Sequence, residues 1–363
     1  MMHRRIDIVK HRRKKLLIIK LDAIGDYVLF RNYLLAIRES GRYQDYHITL
    51  CGNELWKSIA QHYDSQYVDS FLWVNVHKFS TSRTYRFYCY WLLMARPYDE
   101  LICPTHSRRF YIEDDLVKRV RATIKIGSKG DDQNMPNDKK QIGDSYYTHM
   151  IGQTDQQQFE WNKNHIFFEE LLNENCDRYT RPIIQQDSRR SNTIVVCPGA
   201  GARFRQWSAL NFAELCYQIL SEYDISIVLC GGKADCELST QIFNYTKTNN
   251  KIYDRCGKTT LIELIDLIAS AKMVIANESS PIHIAAAVGT NAICLSNGNH
   301  FGRFNPYSVK NDGNITTLYP PVIAKRILFD YEGLVSEYYM GSQEDINQIS
   351  VLDVFKSFQK FSL

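Results

Sequence analysis

Two α/β domains in tandem, each of Rossmann-like type, are what this sequence predicts. Short apolar runs alternate with amphipathic helical stretches along the first half. The alternation starts afresh at "NTIVVCPGAGARFRQW". Strands alternating with helices imply parallel βαβ units, and two such series imply two sheets.

In chain order, "KLLIIKL" reads as a buried strand, followed by a helical pattern from Tyr27 to Glu39. "YHITLCG" precedes "NELWKSIAQHY", and "SFLWVNV" precedes an aromatic-rich helix from Tyr85 to Ala95. "YDELICPT" leads into a further helix candidate, and "ATIKIG" closes the series. Residues 127–160 are polar with little periodicity and read as one long loop. A helix at "NKNHIFFEELLNE" and a linker at "RPIIQQDSRRSN" follow. In the second half Phe212, Leu215, Cys216, Ile219 and Leu220 repeat at helical spacing. Then come "ISIVLCGG", a helix from Ala234, "KIYDRCG", a helix from Leu261, "MVIAN", a helix from Pro281, and "NAICLSN". Thr260 and Glu263 have capping-box spacing, a structural feature. The tail "INQISVLDVFKSFQKF" reads as an amphipathic helix. The expected boundaries are a first domain over 1–185, a second over 186–330 and a helical segment over 331–363.

Apolar residues make up 44 % of the 363 and charged residues 23 %, the balance of a packed globular protein. A formal charge of +4 is too small to argue for a nucleic-acid partner. No apolar run approaches the roughly 18 residues of a membrane span, and Lys20, Asp22 and Asp26 interrupt the first apolar stretch, unlike a secretory leader. Ten cysteines are scattered without metal-ligand spacing, so no metal ligands are assigned. Cys197, Cys230 and Cys294 sit in apolar runs, as buried free thiols of a cytoplasmic protein would. The first fifteen residues carry seven cations against Asp7. They read either as a solvated terminus or as a basic arm resting on the anionic inner face of the cytoplasmic membrane.

Ligands of open α/β sheets bind beyond the carboxyl ends of the strands. Four segments fall there. In "DAIGD", Gly25 permits a close approach and Asp26 opens a helix. Asp26 could serve the helix dipole or act as a general base in an interdomain cleft. "PGAGARFRQW" offers small residues, Gly201 among them, and the cation Arg205; it is either an anion-binding loop or a solvated one. In "NESSPIH", Ser280 could cap and Pro281 could begin a helix whose amides, with His283, suit a diphosphate. In "CGGKAD", Asp235 could contact ribose hydroxyls or cap a helix.

Together these segments resemble the glycosyltransferases of family 9, which include the lipopolysaccharide heptosyltransferases. The matching stretches are "LLIIKLDAIGDYVLFRNYLLAIR", "PGAGARFRQWSALNFAEL", "VLCGGKADCE" and "ESSPIHIAAAVGT". The resemblance implies a GT-B fold, with two Rossmann-like domains facing across a cleft and a C-terminal helix crossing back to the first domain. It implies inverting, metal-independent transfer from a nucleotide sugar, usually ADP-heptose, with no cofactor. The acceptor would be a lipopolysaccharide-type or other cell-surface glycan or glycolipid. By position Asp26 matches the base, with Gly25 admitting the acceptor. Arg205 matches the cation on the donor phosphates, Asp235 the ribose contact and Thr259 the adenine site. Glu278, Ser279, Ser280 and His283 match the segment that binds sugar and diphosphate. Glu278 stands where Asp is usual and Arg205 where Lys is commoner. The family's acceptor pattern is replaced by "CPTHSRRF", where Thr105, His106, Arg108 and Arg109 are acceptor-side candidates. Two other readings stand beside this one: a GT-B enzyme with another nucleotide sugar and a protein or other glycan acceptor, and a non-catalytic nucleotide-sugar-binding protein.

Overall fold

The first sheet of the computed structural model follows the strand order β3-β2-β1-β4-β5-β6, all parallel. Its strands are β1 (Lys15–Lys20), β2 (His47–Asn53), β3 (Ser70–Val74), β4 (Tyr98–Cys103), β5 (Ala122–Ser128) and β6 (His149–Ile151). The second sheet runs β12-β11-β10-β7-β8-β9, also parallel. It comprises β7 (Thr193–Cys197), β8 (Ser226–Leu229), β9 (Ile252–Asp254), β10 (Met273–Asn277), β11 (Asn291–Leu295) and β12 (Ile315–Leu318). The structure describes residues 12–153, 157–179, 183–184, 190–247, 249–307 and 314–362. Most of the basic arm, including Arg4, Arg5 and Lys10, lies outside the described residues, as does much of the 181–192 linker.

Both sheets are covered on both faces, which is why their central strands read as unbroken apolar runs. Leu16 to Ile19 in β1, Ile194 to Val196 in β7 and Val274 to Ala276 in β10 are fully buried. Each sheet reverses its winding once, between β1 and β4 and between β7 and β10. The crevice of such a sheet opens at that point, beyond the strand ends.

The two domains meet along an apolar seam. The Ile24–Phe30 helix of the first packs on the Ser280–Val288 helix of the second, and the Lys57–Tyr63 helix on Leu261–Ser270. One hydrophobic cluster joins Tyr27, Trp56, Ile59 and Ala60 to Ile265, Ile268, Ile282 and Ala285. The Glu160–Leu172 helix backs this seam from the first domain. Phe168 stacks on Tyr33 at 4.5 Å, and the Asn164 amide donates to the Leu29 carbonyl at 3.2 Å. The helix stops at Asn173, whose left-handed backbone (φ 53°) suits an Asn C-cap.

Three expectations need correction. Residues 127–160 are not one loop: they hold an Asn137–Asp144 helix and β6. β6 is only three residues long and owes its existence to pairing with β5, which no local pattern announces. β12, likewise an edge strand, was also absent from the sequence reading. The last helix, Val351–Ser362, does not cross back to the first domain. It packs on the Ala209–Glu222 helix and β11 of the second. Val354, Phe355 and Phe358 enter the same core as Phe212 and Ile219. The Trp207 indole N–H donates to the Ile349 carbonyl at 2.9 Å just before the helix begins, and this anchor keeps it on the second domain.

Candidate active site

The Gly-Asp corner after β1 meets the second domain directly. A β-carbon on Gly25 would stand 2.7 Å from Cδ2 of His283, closer than real contacts allow. Glycine is therefore required for the approach of the imidazole. This contact gives Gly25 a role that the sequence does not announce. His283 is buried, its Nδ1 shares a 2.6 Å hydrogen bond with the Tyr307 hydroxyl, and Phe304 meets its ring edge-on. Burial and the nearby Arg205 charge lower its pKa to about 4, so the ring is neutral at physiological pH.

Asp26 lies in the first turn of the Ile24–Phe30 helix and keeps part of its surface open to a cavity of about 480 Å³. Asp22, Thr105, Arg109, Glu160, His300 and Arg303 are among that cavity's other walls. Dense surroundings, then the charges of Asp22 and Glu160, push the Asp26 carboxyl up to about 7, against the pull of Lys20 and Arg303. Behind it runs a network of buried charge. Lys20, at the end of β1, pairs with Asp22 at 2.6 Å, and Asp22 accepts from the Thr105 hydroxyl at 2.9 Å. Burial opposes the Lys20 charge, yet Asp22, Glu160 and Asp26 raise its pKa. Glu160 opens the Glu160–Leu172 helix and pairs with Arg303 of the second domain at 2.9 Å. Burial opposes its ionisation, but Arg303 and Lys163 together hold it well below the usual carboxylate range. The Glu160 amide also donates to the Arg303 carbonyl at 2.8 Å, so backbone and side chain both tie the two domains here.

On the facing side, β10 ends at Asn277, whose buried amide donates to the Pro198 carbonyl at 2.6 Å and whose oxygen accepts from the Trp207 amide at 3.1 Å. Asn277 thereby fixes the loop after β7 against the end of β10. Arg205, on that loop, donates to the Glu278 carboxylate at 3.0 Å and to the Glu278 carbonyl at 2.8 Å. Its Nε is enclosed without a hydrogen-bond partner among the described residues. The second Glu278 oxygen accepts from the Ser296 hydroxyl. Burial still raises the Glu278 pKa, with Arg205 and Ser296 acting against it. The helix cap falls one residue earlier than expected. Ser279 is the N-cap, Ser280 opens the helix and Pro281 follows within its first turn. The Ser279 hydroxyl turns back to the Asn277 carbonyl at 3.0 Å and does not cap; Pro281 carries no N–H and the Ile282 amide donates to the Ser279 carbonyl at 3.1 Å, which leaves the Ser280 amide as the first-turn donor without a side-chain acceptor.

Gly201 is exposed, with open space where a side chain would stand. Asp235 accepts from the Gly232 amide at 2.8 Å, and its carboxylate lies over Gly199 and Gly231, where any β-carbon would collide with it. Thr259 lines a shallow cavity of about 300 Å³ with Arg255 and Glu263. Its loop is tied to the glycine turn by the Gly257 amide, which donates to the Gly231 carbonyl at 2.9 Å. Thr260 and Glu263 form the expected capping box.

The four acceptor-side candidates separate. Thr105 and Arg109 line the cavity with Asp26, and Arg109 also pairs with buried Glu113. His106 is buried, 3.7 Å from Asp131, with its pKa lowered to about 4 by burial and by Lys163. It does not line the cavity with Asp26. Arg108 is fully buried: Asp114 at 2.8 Å and Asp144 hold its guanidinium, with the Tyr147 ring 4.8 Å away. It is a structural cation and not an acceptor contact, because its charge is already neutralised inside the domain. Sequence reasoning missed Lys20, Glu160, His300 and Arg303 as members of the site. A lysine within "LLIIKL" was a legible signal, since a buried ammonium needs an acid nearby. Nothing local marked Glu160 or Arg303. A cavity of similar size, about 470 Å³, opens elsewhere on the first domain between Arg31, Tyr63 and Arg178. None of the site residues expected from the sequence lines it.

Residues 115–322, more than half of the chain, match the family model described as glycosyltransferase family 9 (heptosyltransferase). The chain belongs to glycosyltransferase family 9. It is 26 % identical over 136 residues to lipooligosaccharide heptosyltransferase 2 of Campylobacter jejuni, covering 37 % of this chain and 42 % of that one. Lipopolysaccharide heptosyltransferase 2 of Escherichia coli is 31 % identical over 105 residues, 28 % of this chain and 30 % of that one. The chain thus spans about two fifths or less of the length of these curated relatives. The family 9 structure from Veillonella parvula superposes over 96 % of this chain and 97 % of its own, with a TM-score of 0.73 at 16 % identity. Escherichia coli heptosyltransferase WaaC with ADP gives 0.70 at 13 %, over 96 % and 99 %. At such identities these likenesses establish the fold, GT-B, which this family 9 chain shares with them.

Proposed function

We propose that this family 9 chain is an inverting glycosyltransferase. It moves heptose from ADP-heptose to a lipopolysaccharide-type or related cell-surface glycan, without a metal. The observation that supports the reading is the contact of Gly25 with His283, an imidazole that also feels the Arg205 charge, so the Gly-Asp corner and the Arg205 loop both have His283 as a neighbour.

In this reading Asp26 takes the proton of an acceptor hydroxyl as that oxygen attacks the anomeric carbon. The bond from the anomeric carbon to the diphosphate breaks, and the diphosphate leaves with the electron pair. A base must be free and of suitable pKa. Among the described residues no group hydrogen-bonds the Asp26 side chain, and its pKa is near neutrality. Charge developing on the diphosphate meets Arg205, whose Nε is an unmet donor, and the Ser280 amide at the start of the Ser280–Val288 helix. Glu278 and Ser296 hold the guanidinium in place before the donor arrives. Asp235 and Thr259 follow β8 and β9 farther along the same sheet edge, and in this reading they contact the ribose and the base. Thr105, Arg109 and Arg303 line the acceptor side. Among the described residues no helix is long and apolar enough to cross a membrane. The expected setting is the cytoplasmic side, where the nucleotide sugar is available.

The test is a panel of ADP-, GDP- and UDP-sugars offered with a glycolipid acceptor extract. Diphosphate release and glycan mass are followed, and melting shifts report binding. ADP-heptose should be consumed with a heptose-sized gain in acceptor mass, unchanged by EDTA. Nucleotide binding without release from any donor would overturn the catalytic reading. Turnover with another sugar would overturn the donor assignment, and loss of turnover in EDTA the metal-independent one.

A further inference from the structure

The Arg83–Met94 helix carries a face that the cleft does not use. Cys89, Tyr90 and Leu93 point into the first-domain core. On the opposite side Phe87, Tyr88, Trp91 and Met94 are 68 %, 53 %, 65 % and 40 % exposed. At about 100° per residue those four positions share one face. Scattered exposed apolar residues are ordinary, but four large ones on one helical face are not.

The charge around this face has one sign. Between Asp69 and Asp99 the chain contains no acidic residue, yet it contains Lys78, Arg83, Arg86 and Arg96. None of these four makes an ion pair with a described residue. Lys78, Arg83 and Arg96 are exposed, and the Arg86 guanidinium donates to the carbonyls of Phe79 and Ser80 and lies 5.3 Å from the Phe79 ring. Tryptophan and tyrosine favour the headgroup level of a bilayer, and unpaired cations beside them favour anionic lipid.

The position also fits. The helix runs back from the end of β3 toward the start of β4, so its Arg83 end lies nearest the carboxyl edge that carries Asp22 and Asp26. The preceding Val76–Thr81 helix packs on the Phe110–Asp114 turn. That turn holds Tyr111, 64 % exposed, two residues beyond the cavity-lining Arg109.

We propose that the Phe87–Trp91 face of this helix, with its cationic border, docks the protein on an anionic phospholipid surface. The docking does not depend on the sugar transferred, and it is measured without donor, so its failure leaves the transferase reading intact.

The full chain is floated with neutral phosphatidylcholine vesicles and with vesicles containing about 30 % phosphatidylglycerol. Binding is expected to the second and not the first, with a blue shift of fluorescence that Trp91→Phe removes. Phe87→Ser with Trp91→Ser should weaken binding at least about tenfold, at an unchanged melting temperature. Arg83→Gln with Arg96→Gln should weaken it severalfold through charge alone, giving a second route should the first pair disturb folding. Absence of binding to anionic vesicles, equal binding to neutral ones, or undiminished binding by both variant pairs overturns the proposal. A concentration-dependent dimer abolished by Phe87→Ser with Trp91→Ser, without vesicle binding, would overturn it in favour of a contact between copies.

Discussion

At the end of β1 the first domain sets Asp22 and Asp26 beside Lys20, with Glu160 close behind. At the end of β10 the second sets one acid, Glu278, under Arg205 and Ser296. The two sheets have the same strand order read from their switch points, and both acids sit at strand ends. Burial raises both carboxyl pKa values. What separates them is engagement. Both Glu278 oxygens hold partners, while the Asp26 side chain accepts from no described residue and faces open space. Topology therefore locates a site, but the neighbours of each acid decide which one can take a proton and which one holds a cation in place.

The strongest way to break this contrast is Asp26→Asn. Turnover should fall by about 10²–10⁴-fold, the usual worth of a general base, while donor affinity by calorimetry stays near wild type. The pH profile sharpens the same point. Activity should rise as pH passes through about 7, as Asp26 ionises, and level off above it. The stability sign is set by the same shift. The carboxyl titrates near 4 when unfolded and near 7 when folded, so the folded state binds the extra proton between those values. Stability should therefore fall as pH rises through that window, and Asp26→Asn should remove the slope. A midpoint of activity near pH 4 would show that Asp26 is an ordinary exposed carboxylate.

On the facing wall, Arg205→Ala should lower turnover about 100-fold by removing charge stabilisation of the leaving group. Donor affinity should weaken as well, unlike in Asp26→Asn, and Arg205→Lys should restore part of both. Equal donor affinity in the two variants would erase the distinction between the walls. Gly25→Ala tests the contact that joins them. The added methyl forces His283 or the helix to shift, costing about 1–3 kcal/mol of stability and lowering turnover roughly tenfold through misplacement. The smallest effect is expected at Thr260→Ala. Losing that cap should cost about 1 kcal/mol in denaturant unfolding and leave the kinetic constants unchanged.

Much of this architecture could be read directly from the chain. Ten of the twelve strands among the described residues coincide with short apolar runs, because buried parallel strands must be apolar on both faces. β6 and β12 carry no such run: His149–Ile151 is three residues long and Ile315–Leu318 holds two threonines, so pairing with β5 and β11 is what makes them strands. The Gly-Asp corner, the Arg205 loop and the Glu278–His283 segment were legible because strand ends and helix starts have local signatures. Arg108 misled because sequence does not show that Asp114 and Asp144 enclose it. Glu160 and Arg303, paired at 2.9 Å across 143 positions, carry no local mark at all.

The sequence by itself determined the two βαβ series, the glycine turns and the residues that could bind an anion or take a proton. These follow from side-chain periodicity and backbone freedom, which act over a few residues. Only the tertiary structure decided that Gly25 exists for His283, that Glu160 sits behind Asp26, and that the last helix stays on the second domain. Those outcomes depend on which buried charges and apolar faces meet across the seam, and such pairing energies are set by neighbours far apart along the chain.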